Sequence, residues 1–214
     1  MIDMEVYRLV FSPIEVNTYI LSDNSGKCAV IDCGCYEKTE FRRLTGFLDN
    51  KNLEPALLLN THCHLDHIFG YEMFLEKYKI GTYCHENEEV NRKDSSYHAE
   101  LFNLKMNLPP EPAGFLKDGD IITFGTTELK TLFVPGHSPG SLAFYSEKEG
   151  VVFTGDALFA GSIGRTDLRG GNYDTLIHSI KSKLFTLPPS TIVYPGHGEP
   201  TTIETEIKTN PYFN

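Results

Sequence analysis

"NTHCHLDHIFG", residues 60–70, sets His62, His64, Asp66 and His67 within six consecutive positions. In an extended stretch, side chains at i and i+2 point the same way. His62 and His64 can therefore grip one cation, and Cys63 alternates away from them into packing. Helical periodicity begins next: Ile68, Tyr71, Leu75 and Tyr78 form one stripe, which predicts a helix over 66–79 with Asp66 as its N-cap. Asp66 and His67 then point elsewhere, toward a second cation. An H-x-H pair alone is common, so the reading turns on what the rest of the chain brings to these four residues.

Three more apolar runs end in the same way. Leu132-Phe133-Val134 leads into Pro135-Gly136-His137, Val151-Val152-Phe153 into Thr154-Gly155-Asp156, and Ile192-Val193-Tyr194 into Pro195-Gly196-His197. Leu57-Leu58-Leu59, before Thr61-His62, makes the fourth. In three of them a glycine precedes the polar residue, where the backbone must turn sharply. Strands of one sheet ending on the same side would gather His62, His64, Asp66, His67, His137, Asp156 and His197, and the carboxyl ends of strands are a common place for sites. Such a cluster is expensive to bury unpaired, and divalent cations make it favourable. The spacing gives His62, His64 and His137 to a first metal and Asp66, His67 and His197 to a second, with Asp156 bridging. Nitrogen and oxygen donors without thiolate suit zinc first, with iron or manganese as alternatives.

The whole chain sets bounds on this. Its 214 residues suffice for one substantial core, and residues 1–214 are read as one domain. With 40% hydrophobic and 12% aromatic residues it has an ordinary globular composition. The first residues, MIDMEVYRLVF, carry no secretory pattern, and no apolar run approaches the ~20 residues of a membrane helix. A net charge of −10 repels polyanions, so no nucleic acid and no membrane partner is expected, only a small-molecule substrate. The five cysteines, Cys28, Cys33, Cys35, Cys63 and Cys84, are read as reduced thiols of a cytoplasmic protein, Cys33 and Cys35 being structural. A monomer or homodimer is expected. His85, His98 and His178 are read as ordinary surface or core histidines.

Strands are predicted at 5–11, 16–22, 28–33, 56–60, 121–124, 128–134, 141–146, 150–155 and 191–194, and helices at 38–50, 66–79, 173–185 and 202–209. Residues 107–114, NLPPEPAG, read as a looped insertion. Strands in runs, with helices between and after them, suggest an α/β protein of two sheet layers covered by helices.

These residues resemble the metallo-β-lactamase superfamily over nearly the whole chain. Asp32 in Ile31-Asp32-Cys33-Gly34, then Thr61 to His67, His137, Asp156 and His197 stand in the family's order. The resemblance implies a four-layer αββα sandwich with a two-metal site at one edge of the sheets. Within the superfamily the chain is similar to the glyoxalase II branch. Asp66-His67 stands where true β-lactamases of the best-known class have arginine in place of that histidine. The G-R-x-D segment of "GDALFAGSIGRTDLRGGN" (155–172) is typical of glyoxalase II and persulfide dioxygenases. "VYPGHGEPTTIETEIKTNPYF" (193–213) resembles the ending of small bacterial glyoxalase II-like hydrolases. Glyoxalase II proper continues after its last histidine into a helical domain that helps hold glutathione. Residues 198–214 are too few for that domain, so the thiol carrier stays open.

The implied activity is hydrolysis of a thioester, S-lactoylglutathione or a related acyl thioester, by hydroxide held between the cations. Asp66 would be both a ligand and the group that orients the nucleophile. The alternatives are a persulfide dioxygenase with one iron on His62, His137 and Asp156, a lactonase or β-lactamase, and a non-catalytic metal-binding module. Asp32 is read as a partner of the ligands and not as one of them. Arg165 and Asp167 are read as an internal ion pair shaping the loop after Asp156, the alternative being a place at the site entrance.

Overall fold

The computed structural model describes residues 4–213. Period-2 alternation in its strands sorts side chains between two kinds of core. In β1 (Met4–Phe11), β2 (Val16–Asp23), β3 (Lys27–Ile31) and β4 (Glu54–Leu59), one set of residues faces helices: Phe11, Ile20, Val30 and Leu58 pack with Leu44, Leu48 and Phe74. The alternate set, Tyr19, Leu21, Ala29, Ile31 and Leu59, faces the other sheet and meets Leu142, Phe144, Val151 and Phe153. Those last four belong to β9 (Leu142–Ser146) and β10 (Val151–Gly155), whose other faces carry Ala143, Tyr145 and Val152 to a second helical layer with Leu176, Ile180 and Ile203. Strands apolar on both faces must be covered on both. The result is the four-layer αββα sandwich.

The first sheet runs β1-β2-β3-β4-β5-β6, with β5 at Thr82–Cys84 and β6 at Gly114–Phe115. The second runs β14-β13-β10-β9-β8-β7, with β7 at Ile121–Phe124, β8 at Thr127–Phe133, β13 at Ile192–Pro195 and β14 at Thr201–Thr202. A small hairpin, β11 (Leu158–Phe159) with β12 (Ser162–Ile163), follows β10. Helix α1 (Lys38–Lys51) makes the crossover between parallel β3 and β4. It is started by a reciprocal capping box of Glu37 and Glu40 and stopped by left-handed Asn52. No helix among the described residues is long and apolar enough to cross a membrane.

Several elements differ from the sequence expectation. The helix predicted over 66–79 is two: α2 (Leu65–Ile68) and α3 (Tyr71–Tyr78). The break falls at Gly70, whose amide donates to Cys33 O at 2.8 Å. Asp66 is not the N-cap; His64 holds that position and Asp66 lies inside the first turn. Strand β3 stops at Ile31, because Asp32 takes left-handed backbone at φ 55°. The helix expected over 173–185 is α5 (Tyr173–Ser179), capped by Asn172, followed by a π-turn over Ile180–Leu184. Helix α6 (Ile203–Thr209) starts from Thr202.

Helix α4 (Glu89–Leu101) was not predicted at all. Its buried face is Asn91, Arg92, Ser95 and Ala99, so it carries no apolar stripe to read. Arg92 donates to Pro109 O at 2.6 Å and thereby holds the 107–114 segment, whose end forms β6 at the sheet edge.

Candidate metal centre

The gathering of strand ends involves both sheets. β4 belongs to the first, whereas β8, β10 and β13 belong to the second. The expectation of one sheet is corrected accordingly: the polar residues meet across the shared edge of two. β8 and β10 each pair antiparallel with β9, and β13 runs parallel to β10, so the carboxyl ends of β8, β10 and β13 lie at one end. The loop after β4 is tied to the second sheet where Leu142 N donates to Thr61 O at 2.8 Å, and Asn17 N donates to Gly196 O at 2.7 Å.

The glycines before the ligands have different reasons. Gly136 has φ +130°, and a Cβ there would collide with the backbone of Leu176. Gly196 has ordinary backbone, contrary to the sharp-turn reading; a Cβ there would strike Asp156 Oδ1 and crowd the His67 ring.

All seven candidate residues converge. His62 Nε2 lies 3.2 Å and His64 Nδ1 2.9 Å from His137 Nε2. His197 Nε2 is 3.1 Å from Asp66 Oδ2, and His67 Nε2 is 3.6 Å from the same oxygen. Asp156 stands between the two groups, with Oδ1 3.4 Å from His67 Nε2 and Oδ2 3.6 Å from His137 Nε2 and 3.7 Å from His197 Nε2. His62–His64–His137, His62–His67–Asp156 and Asp66–His67–His197 each bring one donor atom per residue within 4.8 Å of the others.

The outer hydrogen bonds fix which nitrogen each ring turns inward. Asp32 is 2% exposed, and its carboxylate collects Asn60 Nδ2 at 2.9 Å, Thr61 N at 2.8 Å, Thr61 Oγ1 at 2.6 Å and His67 Nδ1 at 2.9 Å. Because the Thr61 hydroxyl donates to Asp32, it accepts from His62 Nδ1 at 3.1 Å. His137 Nδ1 donates to Arg165 O at 2.8 Å, and His197 Nδ1 to Glu15 O at 3.2 Å. Four rings thus spend Nδ1–H outward and turn Nε2 inward, the orientation of metal-ligating histidines.

The electrostatics ask for positive charge at the centre. Burial, with its histidine neighbours, holds His62 well below its ordinary pKa and His64 at about 3, so both are neutral with lone pairs facing other lone pairs. Burial opposes charge on His67 too, but Asp66, Asp156 and Asp32 outweigh it and push its pKa up. Burial works against ionised Asp156 and Asp66, yet the surrounding imidazoles hold both below the usual carboxylate range. His67 Nε2 and Asp156 Oδ1 are buried without any hydrogen-bond partner. The facing nitrogens of neutral His62 and His64, and buried polar atoms left without a partner among carboxylates, fit divalent cations held by nitrogen and oxygen.

Other candidates fall outside this set. Cys63 turns its thiol to Asn60 Oδ1 in the core. All five cysteines are free and buried. His85 stacks on Phe133 and accepts from Asn87 N. Arg165 and Asp167 do pair, at 2.7 Å, but the pair is exposed and not internal; Arg165 reaches the centre through its backbone carbonyl. Glu88 had no sequence signal beyond its acid, yet it is fully buried and bonded to two ligand-bearing loops.

A family profile described as the metallo-beta-lactamase superfamily matches residues 12–197. The chain is 39% identical over 212 residues to the probable metallo-hydrolase YqgX of Bacillus subtilis (strain 168), covering 99% of this chain and 98% of that one. It is 32% identical over 215 residues to the hydroxyacylglutathione hydrolase GloC of Haemophilus influenzae, covering 99% of each. Among solved structures, BLEG-1 B3 metallo-beta-lactamase superposes with a TM-score of 0.91 at 34% identity, over 98% of this chain and all of that one. TTHA1623 in a di-iron-bound form gives 0.87 at 35% identity, over 97% of this chain and 100% of that one.

Proposed function

The chain belongs to the metallo-β-lactamase superfamily, and from that premise we propose that it is a two-cation hydrolase of acyl thioesters. The observation that carries the reading is the inward convergence of seven donor residues in two sets joined by Asp156. His62 Nε2, His64 Nδ1 and His137 Nε2 would hold one cation. Asp66 Oδ2, His67 Nε2 and His197 Nε2 would hold the other, with Asp156 standing between the two sets. When bound, such cations supply a water of lowered pKa and polarise the substrate carbonyl.

The chain's own residues do the positioning. Asp32 and Thr61 orient the rings of His67 and His62, so that both turn Nε2 toward the centre. Asp66 Oδ2 would go with His197 Nε2 to the second cation, which leaves the other oxygen to orient the attacking water. The seven-residue set is spent on ligation and supplies no separate acid, which suits a thiolate leaving group, since a thiolate departs without being protonated. Similarity to the GloC hydrolase along 99% of both chains supports the thioester class. Zinc is the first expectation; the di-iron state of TTHA1623 supports iron as the alternative.

A substrate panel tests the reading. S-lactoylglutathione, a non-glutathione acyl thioester, a lactone, a β-lactam and a persulfide with oxygen are offered to the zinc- and iron-loaded full chain. Turnover of a thioester at least about 100-fold above the others supports it. Oxygen consumption with persulfide and no thioester hydrolysis would overturn it, as would a β-lactam preference.

A further inference from the structure

We propose that Glu88 is a positioning residue for the three-imidazole half of the centre: its buried carboxylate braces the two loops that carry His62, His64 and His137. Glu88 ends the 3-10 turn Glu86–Glu88, just ahead of α4, and is 0% exposed. One oxygen, Oε2, accepts from Cys63 N at 2.7 Å, the amide between His62 and His64, and from Asn91 Nδ2 at 3.0 Å. The other, Oε1, accepts from Ser138 Oγ at 2.6 Å and Gly140 N at 2.6 Å, in the loop that opens with His137.

These are the two loops whose ring nitrogens must meet within about 3 Å, and they come from different sheets. Leu142 N donating to Thr61 O ties the neighbouring backbone at 2.8 Å, and the Glu88 carboxylate adds a side-chain span from Cys63 to Ser138 and Gly140. It does so without slack, since a Cβ on Gly140 would lie 2.8 Å from Glu88 Cγ. A carboxylate is the side chain suited to this place, because both of its oxygens accept and all four surrounding groups donate. Glutamine keeps the size but turns one acceptor into a donor, so whichever way it lies, one loop meets an N–H with its own N–H. Aspartate is one methylene too short to reach both.

The inference rests on the reading of the cluster as a metal centre and not on the thioester, so its test reads metal affinity. In the His67→Ala chain the Asp66–His67–His197 set is broken, and the Zn2+ affinity that remains belongs to the three imidazoles. Chelator competition on the full chain is measured with Glu88→Gln, Glu88→Asp and Ser138→Ala added to that background. Glu88→Gln and Glu88→Asp are expected to weaken Zn2+ about 10–100-fold, the range typical of groups that orient ligands. Ser138→Ala, which removes one strut, weakens it less and in the same direction. The absorption of bound Co2+ should change with Glu88→Gln. A lower melting temperature of the metal-free chain with unchanged Zn2+ affinity would overturn the proposal, because that is what a purely structural carboxylate predicts. Should both Glu88 variants fail to fold, Ser138→Ala decides: several-fold weaker Zn2+ supports the brace, and unaltered affinity refutes it. Absence of thioester turnover in the unsubstituted chain would refute the proposed substrate and leave these affinities as they are.

Discussion

Asp32 sits at φ 55°, a region that asparagine tolerates nearly as well as aspartate. Asp32→Asn therefore tests chemistry with little backbone penalty. One acceptor oxygen becomes an NH2 group, and either the Asn60 side-chain amide and Thr61 N or the Thr61 hydroxyl and His67 Nδ1 lose their acceptor. Affinity for the second cation is expected to fall about 10–100-fold by chelator competition, and unchanged affinity would contradict the role given to Asp32. At this scale the sequence was most readable. The seven ligand candidates followed from residues at and just after the ends of apolar runs, and Asp32's place behind them followed from the family resemblance. Glu88 did not, because its meaning lies in which loops it joins, and nothing in "HENEEV" marks one acid among three as buried.

Among elements, legibility followed the apolar pattern. β2, β9 and β10 are buried along their whole length and were read within a residue or two. α4 was missed because polar side chains cover its buried face, with Arg92 satisfied by Glu89 and Pro109 O. α2 and α3 were fused because their shared stripe hides the break at Gly70. One inter-sheet link makes a pH prediction. Asp23, at the end of β2, accepts from Thr126 N at 2.6 Å, in the turn between β7 and β8, and from Thr127 Oγ1 at 3.1 Å, at the start of β8. Burial opposes its ionisation, but bonds from Ser25 and Thr126 outweigh that and hold the pKa at about 2 against 3.8 unfolded. A depressed folded pKa stabilises above the unfolded value, and that stabilisation is lost as pH falls through about 2. Asp23→Asn should lower the melting temperature by about 3–10 °C near neutral pH. The gap between the two chains should then narrow on acidification below pH 3.8. A gap independent of pH would contradict the assignment.

For the whole molecule, the sandwich exists in part to bring two sheets to one edge where five imidazoles and two carboxylates meet. The four strand ends announced the cluster, but not that β4 lies in a different sheet from β8, β10 and β13; that information is topological and local apolar runs do not contain it. Cations held at that edge would join the layers and so couple metal to folding stability. Stripping metal with a chelator is expected to lower the melting temperature by about 10 °C, recovered on adding Zn2+, and an unaltered melting curve would count against cations at the edge. Elemental analysis of the full chain beside its His67→Ala variant decides whether the edge holds two cations. Two metals per chain, falling to one in the variant with loss of more than about 100-fold in hydrolysis, is the predicted result. One metal per chain in both would contradict it.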